Sequence, residues 1–400
     1  MHHTDDPTTF YARLHQDAPI QQIGESSFYA VGSWDLIAEA VSRPDDFSSN
    51  LTATMVWHDD GTVSEFPVAG LGDAMHVLAT ADGPRHRDHR TLVMPSVSPA
   101  RIRALEPQVR RLVADAWRSG LHDGRIDWVA AIAGRIPMAV VTELLGLRTD
   151  ALDDLTRWAV ATNVLIDGVI TPAQLATATA AVAELTAHLS HALTERMAGG
   201  GNGSDNSTAL SQIADRVTEG RLDHDEAVMI LFQLVAAGAE STTTLLSSAV
   251  WLLSRHPDTE AELRREPALI PVFVEEALRL ETPFRGHFRH VVSDTTLGGT
   301  ALPAGAHVFL MWGAGNRDPA RFDDPAIIDL DPAARRSHLA FGKGLHLCVG
   351  AALARLQARI AIEHLLAETP AVRLDADGSR WEEGVLARKL ATLPVIVGDV

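Results

Sequence analysis

Apolar residues recur at every third or fourth position along much of this chain, which is the spacing of helices that bury one face. This spacing predicts helices over residues 6–19, 103–120, 136–147, 171–197 and 223–255. Alternating, strand-like patterns are short and lie near the ends of the chain, at 26–32, 290–312 and 388–398. The pattern predicts a mainly α fold, rich in helices and with a small antiparallel β portion.

The run 223–255 is the longest predicted helix and would extend about 50 Å at about 1.5 Å per residue. It is apolar on nearly every side and should be buried, yet AGAESTTT interrupts it at 237–244. Gly238 among small neighbours would let a flat or bulky group approach the backbone closely. Serine and threonine bonded to the helix's own carbonyls would explain the hydroxyls alone. A buried Glu240 is costly without a partner or a task, so the segment indicates a functional site.

The charge balance narrows the classes of partner that the chain can bind. Its 400 residues include 34 basic and 52 acidic side chains, for a formal net charge of −18. General binding to nucleic acid or to an anionic membrane needs a cationic surface, so we expect neither partner. The most apolar window, 227–239, is also too short to span a bilayer.

The cysteine content and the start of the chain indicate a cytoplasmic protein. Cys348 is the only cysteine, so no internal disulfide can form, which fits a reducing compartment. No basic region followed by an apolar stretch opens the chain. We predict one domain over 1–400, with the glycine-rich segment 198–207 as a flexible surface loop.

Two charged motifs have both structural and functional interpretations. Glu276 and Arg279 are three positions apart on a predicted helix, and the apolar residues around them favour a buried structural pair. The segment ADGPRHRDHR at 81–90 places His86 and His89 among arginines. A basic pocket for a carboxylate ligand is favoured over a metal site, because no second ligand cluster accompanies the histidines. An exposed basic turn is the plain alternative.

Five stretches together resemble the heme-thiolate monooxygenases, the cytochrome P-450 superfamily, in its soluble bacterial form. FGKGLHLCVGAALAR (341–355) matches the family's pattern Phe-Gly-x-Gly-x-His-x-Cys-x-Gly. AGAEST (237–242) is similar to the oxygen-activation segment, and EALR (276–279) to the helical Glu-x-x-Arg. HRDHR (86–90) resembles the heme-carboxylate segment, and NRDPARF (316–322) the stretch that supplies a further structural arginine. These landmarks occur in the family's order, which makes the resemblance highly specific.

The resemblance implies a b-type heme, with the thiolate of Cys348 as the iron ligand and dioxygen as co-substrate. An electron-rich axial sulfur favours O–O cleavage. The heme carboxylates would be bound by His86, Arg90, Arg289 and His346. The other expected cofactor-binding residues are Ala237, Gly238, Phe341, Gly342 and Gly350. A structural network beneath the heme would consist of Glu276, Arg279 and Arg321.

One departure from the family concerns the proton relay. The usual acid-Thr-Thr sequence is here Glu240-Ser241-Thr242, and serine keeps the hydroxyl but loses the methyl group that fixes the rotamer. The resemblance therefore implies a relay through Glu240 and Ser241 that is looser than usual, with Thr242 as a second candidate for the hydroxyl.

The activity that the resemblance implies is insertion of one oxygen atom from O2 into a small organic molecule, by hydroxylation or epoxidation, in natural-product biosynthesis. Electrons would come singly from a ferredoxin and an NAD(P)H-dependent ferredoxin reductase. By family position, the substrate would be contacted by the loop 51–77, the helix 160–180, the stretch 284–288 and single residues elsewhere: Met55, Trp57 and Phe66 in the loop, Phe232 and Ala236 on the long helix, and Lys389 and Leu390 near the end of the chain. Trp57 and the phenylalanines suggest an aromatic or polycyclic substrate. Three alternatives remain open: oxidative coupling or ring formation without oxygen insertion, a non-catalytic heme-binding sensor, and a heme-free metal hydrolase.

Overall fold

Long helices make up most of the chain that the structure describes. The computed structural model describes residues 6–58, 60–67, 75–167, 171–199, 207–334, 337–375 and 378–397. Its α-helices are α1 (Thr8–Asp17), α2 (Trp34–Ser42), α3 (Gly83–Val93), α4 (Pro99–Gly120), α5 (Ile136–Leu145), α6 (Leu152–Asn163), α7 (Pro172–Met197), α8 (Ala209–Thr218), α9 (His224–Arg255), α10 (Pro257–Arg265), α11 (Ile270–Leu280), α12 (Trp312–Gly315) and α13 (Ala351–Glu368). The helices predicted from apolar spacing are confirmed as α1, α4, α5, α7 and α9. Residues 200–206 of the predicted flexible loop lie outside the described residues.

The strands form one larger sheet and several small ones. They are β1 (Ile20–Gln22), β2 (Phe28–Val31), β3 (Phe47–Ser48), β4 (Ala53–Trp57), β5 (Val63–Pro67), β6 (Arg125–Asp127), β7 (His287–Val291), β8 (Thr295–Leu297), β9 (Thr300–Leu302), β10 (His307–Leu310), β11 (Arg373–Leu374), β12 (Arg380–Trp381), β13 (Leu390–Thr392) and β14 (Pro394–Ile396). The larger sheet has the order β1-β2-β10-β7-β3, and the smaller sheets are β11-β14-β6, β12-β13, β4-β5 and β8-β9.

One strand pair in the larger sheet differs from the predicted antiparallel arrangement. β2 and β10 run parallel, with Phe28 opposite His307, whereas the other pairs of this sheet are antiparallel. Nearly the whole helical part of the chain connects these two strands. A connection of that length imposes no hairpin constraint on strand direction, so the local pattern could not predict it.

The helix α9 is the core element of the helical part. Its first turn is capped by the side chain of Asp223, which accepts the N–H groups of Asp225 at 2.9 Å and Glu226 at 3.3 Å. The helix packs against α5, α6, α7, α11 and α13. Among the described residues, α9 alone is long and apolar enough to cross a bilayer. Half of its most apolar window is buried inside the protein, a combination that core helices also show.

A close helix crossing explains Gly238. A Cβ atom added at this position would lie 2.5 Å from Cγ2 of Val141 on α5, well inside van der Waals contact, so α5 and α9 approach closely because the residue is glycine. Packing against α5 is thus one reason for this glycine, and the predicted room for a flat ligand stays a prediction. The accessible residues at this point of the helix are Ala237, which is exposed, and Gly238, which is half-buried.

A buried arginine joins α11 to the segment 316–327. Arg279 donates to both carboxylate oxygens of Glu276, at 2.8 and 2.6 Å. It also donates to the carbonyl oxygens of Asn316 at 3.3 Å, Pro325 at 2.8 Å and Ile327 at 2.7 Å. The predicted buried pair of Glu276 and Arg279 is confirmed, and it fixes the path of a segment without regular secondary structure.

Arg321 does not join this network, contrary to what the family resemblance implied. Its guanidinium lies over the ring of Trp34, 5.0 Å from the centroid, and the residue is exposed. The next residue, Phe322, is buried and lies against Arg279, whose guanidinium is 4.9 Å from the ring centroid. Because Phe322 faces inward at this point, Arg321 points toward the surface.

Replacing Arg279 tests the importance of its network. Arg279→Met should lower the free energy of unfolding by about 3–5 kcal/mol, because it leaves the carboxylate of Glu276 buried without its cation. The matched control is Arg321→Met, which loses one contact with an aromatic ring and should cost no more than about 1 kcal/mol. Urea unfolding followed by circular dichroism measures both. Equal losses in the two variants would contradict the assignment.

Two substitutions, made singly and together, test the crossing at Gly238. The effect of Gly238→Ala on the free energy of unfolding should change sign between the two backgrounds. Gly238→Ala should destabilise the protein by about 1–2 kcal/mol, because the new methyl group overlaps Val141. In a Val141→Ala background the overlap disappears, and the same change should stabilise the helix by up to about 1 kcal/mol. Urea unfolding of the four proteins of the cycle gives both values. A stabilising Gly238→Ala in both backgrounds would disprove the steric explanation.

Candidate functional site

The loop before α13 positions Cys348 through its backbone. The N–H of Cys348 donates to the carbonyl oxygen of Phe341 at 2.9 Å, which closes the loop on itself. Gly342 and Gly344 have φ values of +69° and +74°, in the left-handed region that favours glycine. Gly350 has an ordinary φ of −86°, and a Cβ atom there would lie 3.9 Å from the sulfur. The turn therefore requires glycine at 342 and 344, while Gly350 leaves the sulfur uncrowded.

Cys348 is exposed although protein surrounds it closely. The residue counts among the exposed ones, yet burial raises the pKa of its thiol. The N–H groups of Gly350 and Ala351, at the start of α13, oppose that effect, as do the charges of Arg90 and Arg355. Donors at a helix N-terminus are suited to stabilising a thiolate there.

Two histidines and a carboxylate lie together near this loop. The rings of His86 and His346 are 4.0 Å apart, and Nε2 of His346 is 3.8 Å from Oδ1 of Asp82. Burial, together with the charges of His346 and Arg90, lowers the pKa of His86 to about 4. Burial alone would raise the pKa of Asp82, but the nearby imidazole of His346 and a hydrogen bond from Ser48 hold it at about 2. Nδ1 of His346 is buried, with no hydrogen-bond partner among the described residues.

β7 contributes a second pair of polar side chains. His287 and Arg289 are two residues apart and therefore lie on the same face of the strand. Burial lowers the pKa of Arg289 to about 10, which the charge of Asp82 opposes, and Nη1 of Arg289 donates to the carbonyl oxygen of Phe288 at 2.8 Å. Burial and the neighbouring Arg289 lower the pKa of His287 to about 4. Nδ1 of His287 accepts the indole N–H of Trp312 at 2.7 Å, so Nε2 carries the ring proton.

From the sequence, His287 is expected only as part of the substrate-contacting stretch 284–288. The signal that could have found it is the two-residue period of a strand, since Arg289 was already a candidate.

These residues fit a b-type heme, which has two carboxylates at one edge and an iron at its centre. The charges of His346 and Arg90 act on His86, and the charge of Arg90 also acts on Cys348. The charge of Asp82, which lies near His346, acts on Arg289. Guanidinium groups form strong hydrogen bonds with carboxylates, and a desolvated Arg289 calls for such an anion. The buried, unpaired Nδ1 of His346 is a further donor or acceptor. The predicted propionate ligands thus lie together beside the predicted iron ligand.

The polar interruption of α9 presents one hydroxyl to open space. Oγ of Ser241 donates to the carbonyl oxygen of Ala237 at 3.2 Å; Ser241 is half-buried and Ala237 is exposed. Thr242 is buried and points about 100° away around the helix. Oγ1 of Thr243 is within hydrogen-bond distance of the carbonyl oxygens of Ala133, at 2.8 Å, and Ala239, at 3.0 Å. Of the hydroxyl-bearing residues 241–243, only Ser241 is therefore not fully buried.

Glu240 has a partner that the sequence analysis missed. Its buried carboxylate lies 3.4 Å from Nζ of Lys389, which follows β12 near the end of the chain. Burial raises the pKa of Glu240, and Lys389 together with a hydrogen bond from Asn163 opposes the rise. Lys389 was considered only as a residue near the substrate, and a contact across about 150 positions leaves no local signal in one sequence.

The metal-site interpretation of His86 and His89 is not supported. Nδ1 of His89 accepts the N–H of Leu78 at 3.1 Å, and Nε2 lies 2.9 Å from a carboxylate oxygen of Glu226. Both nitrogens of His89 are therefore engaged, while His86 stacks on His346. Over the described residues, no group of three or more histidine, cysteine, aspartate or glutamate side chains could hold a metal ion.

The expected substrate-contacting residues are only partly accessible. Met55 on β4 is almost fully buried, whereas Trp57 and Phe66 of the hairpin β4-β5 are half-buried. The ring of Phe288 stacks on that of Phe309 at 4.7 Å. Met55 and Phe288 are thus explained by packing, and residues 59 and 68–74 of the expected loop lie outside the described residues.

Comparison with known proteins agrees with this site. The cytochrome P-450 family model matches residues 170–368. Cytochrome P-450 144 of Mycobacterium tuberculosis is 43% identical over 392 residues, covering 98% of this chain and 89% of that protein. The 6-deoxyerythronolide B hydroxylase of Saccharopolyspora erythraea is 31% identical, covering 96% of this chain and 94% of that protein. The structure of cytochrome P-450 CREJ in complex with (4-ethylphenyl) dihydrogen phosphate has a TM-score of 0.89 and 28% sequence identity, covering 99% of this chain and 98% of that one.

The similarity extends over nearly the whole length of both relatives, and the fold agrees along the entire chain. The matched region includes the polar interruption of α9, the pair Glu276 and Arg279, and the loop that carries Cys348. Proteins of this family bind heme b and use dioxygen. This chain belongs to the cytochrome P-450 family of monooxygenases.

Proposed function

We propose that this enzyme inserts one atom of dioxygen into a small organic substrate, by hydroxylation or epoxidation, with Cys348 as the heme ligand. The observation that carries the proposal is the position of Cys348, which lies just before α13 with the charge of Arg90 and the N–H groups of Gly350 and Ala351 acting on its sulfur, in a loop whose His346 stacks on His86. When bound, a heme with a thiolate ligand supplies the activation of dioxygen. The protein supplies binding, orientation and protons.

The cationic and donor side chains would hold the two heme carboxylates. Arg90 and Arg289 would provide charge, and His86 and His346 would provide ring nitrogens. Because His86 has a pKa of about 4, it is neutral at physiological pH and would act as a hydrogen-bond donor rather than as a charge. Phe341, Gly342 and Gly350 would border the sulfur side of the macrocycle, and Ala237 the opposite side.

Ser241 and Glu240 would move protons on the α9 side of the site. The hydroxyl of Ser241 is tied to the carbonyl of Ala237 and lies next to the exposed part of the helix. A hydroxyl there can pass on a proton and recover one from a neighbouring acid. Glu240 is that acid, because burial raises its pKa, which makes the carboxylate take up a proton more readily. Thr242 would contribute packing only.

The substrate is proposed to be a natural-product intermediate. Support comes from the relative named 6-deoxyerythronolide B hydroxylase, which covers 96% of this chain. Trp57 and Phe66 on the hairpin β4-β5 offer half-buried aromatic surface, which suits an apolar ring system.

Electrons are proposed to come from a ferredoxin and its NAD(P)H-dependent reductase in the cytoplasm. Lys343 and Leu345 are exposed in the loop that holds Cys348, and Leu345 exposes 54% of its surface. An apolar residue beside a cation suits docking of a small acidic redox protein.

The ligand assignment is tested by the spectrum of the carbon monoxide complex. Reduced wild-type holoprotein should show the strongly red-shifted absorption band of thiolate-ligated heme, and Cys348→Ser should abolish it, because an alcohol does not replace the thiolate. Leu345→Ser, in the same exposed loop, is the matched control and should keep the band. A wild-type spectrum from Cys348→Ser would remove Cys348 as the ligand.

Oxygen insertion is tested with labelled dioxygen. A compound that converts the heme from low to high spin is incubated with ferredoxin, ferredoxin reductase, NADPH and 18O2. Mass spectrometry should show a product that has gained one labelled oxygen atom. A product that has lost hydrogen without gaining label would instead establish oxidative coupling or ring formation. Absence of turnover despite the spin conversion would favour a heme-binding sensor.

A further inference from the structure

The ammonium group of Lys389 lies between two carboxylates. Nζ of Lys389 is 2.9 Å from Oε2 of Glu382 and 3.4 Å from Oε1 of Glu240. The backbone N–H of Glu382 donates to the carbonyl oxygen of Lys389 at 2.8 Å, so these two residues are fixed opposite each other between β12 and β13. Glu240 belongs to α9, and the three charges therefore join the buried helix to the C-terminal hairpin.

The three side chains differ in their contact with solvent. The side chain of Glu240 is 10% exposed and that of Lys389 is 15% exposed, whereas that of Glu382 is 43% exposed. The contacts thus run from the interior to the surface over a few ångströms. Two carboxylates share one cation, and the group carries a net charge of −1 while all three are ionised. A protein interior disfavours such an uncompensated charge, so the group binds a proton readily.

The electrostatics assign the proton to Glu240. Burial raises the pKa of Glu240, Lys389 lowers it, and the negative charge of Glu382 raises it again. Burial alone would lower the pKa of Lys389, but Glu240 and Glu382 outweigh burial and raise it. Lys389 therefore stays charged and does not itself pass on a proton. The extent to which Lys389 lowers the pKa of Glu240 depends on whether its ammonium lies closer to Glu240 or to Glu382.

We propose that Lys389 is a positioning residue for the proton transfer from Glu240 toward Ser241. Its ammonium group contacts both Glu240 and the surface carboxylate Glu382, and its distance from each sets how readily Glu240 takes up a proton. The proposal rests on the proton-transfer role of Glu240 in the proposed function. It adds a route by which a surface residue controls a buried acid. The ammonium lies closer to Glu382 than to Glu240. It therefore stabilises the negative charge of Glu240 less than a shorter contact would, which favours proton uptake by Glu240.

Other groups that face Glu240 come from α6 and from the segment that follows it. Asn163 donates to Glu240 and to the carbonyl oxygen of Ala236 at 3.2 Å. Asp167 accepts the N–H groups of Leu386 at 2.9 Å and Ala387 at 3.0 Å. Burial raises the pKa of Asp167 to about 6, and the charge of Glu240 adds to this rise. Because Asp167 titrates near physiological pH, an Asp167→Asn background is needed to isolate the titration of Glu240.

The first test measures the protonation of Glu240 directly in the holoenzyme. Infrared difference titration in the Asp167→Asn background records the carboxyl C=O band that Glu240→Gln removes. Lys389→Met should move the midpoint of this band upward, and Glu382→Gln should move it downward, each by on the order of one pH unit, because an adjacent opposite charge changes a carboxyl pKa by about that amount or more. Glu383→Gln removes the same charge from the exposed neighbouring residue and should leave the midpoint near its starting value.

The second test measures peroxide released per NADPH consumed, with ferredoxin and reductase, as a function of pH. Its midpoint should follow the infrared midpoint, upward in Lys389→Met and downward in Glu382→Gln, and Glu240→Gln should abolish the pH dependence. A merely structural role for Lys389 would not produce opposite displacements. Lys389→Arg should keep a midpoint close to that of the parent.

Two outcomes would overturn the proposal: unchanged infrared midpoints in both variants, or midpoints that move in the same direction. Should Lys389→Met fail to fold, Glu382→Gln decides alone, because its side chain is half-exposed and its midpoint must still move downward. A separate result concerns the proposed function. If the infrared midpoints move in opposite directions while Glu240→Gln leaves peroxide release unchanged, the proton role of Glu240 is wrong, and Lys389 still controls its protonation.

Discussion

Burial of α9 along most of its length is the constraint on which the arrangement of the site depends. The first half of the helix, with residues such as Leu231, belongs to one hydrophobic cluster together with side chains of α5 to α8. The second half, with residues such as Leu246, belongs to another cluster formed mainly with α4, α11 and α13. The polar segment 237–244 lies at the junction of these clusters. A carboxylate and several hydroxyls are tolerated there because the apolar residues on both sides already fix the helix.

Whether a feature of this structure could be predicted from the sequence depends on how far apart along the chain the interacting residues lie. Helices with regular apolar spacing could be predicted, because each such pattern is contained within one segment. The loop around Cys348 could be recognised for the same reason, since its glycines at 342 and 344 meet a local backbone requirement. The parallel pairing of β2 with β10 and the contact between Glu240 and Lys389 join distant segments. Neither leaves a periodic or local trace in one sequence.

Two residues show how direction around an element limits such predictions. Gly238 lies in the correct segment, but its missing side chain faces Val141, and the register of a helix against its neighbour is set by packing. Arg321 lies in the correct stretch, yet the burial of Phe322 turns it toward Trp34. A motif therefore located the segment in both cases, while tertiary packing determined which side chain of the segment faces inward.

The presence of a single cysteine has a consequence for oxidative damage. A sulfenic acid formed on a cysteine is commonly trapped by a second thiol as a disulfide, which can be reduced again. Cys348 has no such second thiol in the chain. Once oxidised, it depends on an external thiol such as glutathione for rescue, and further oxidation to the sulfinic acid is irreversible. The residue proposed as the iron ligand is thus also the point at which oxidation would inactivate the protein permanently.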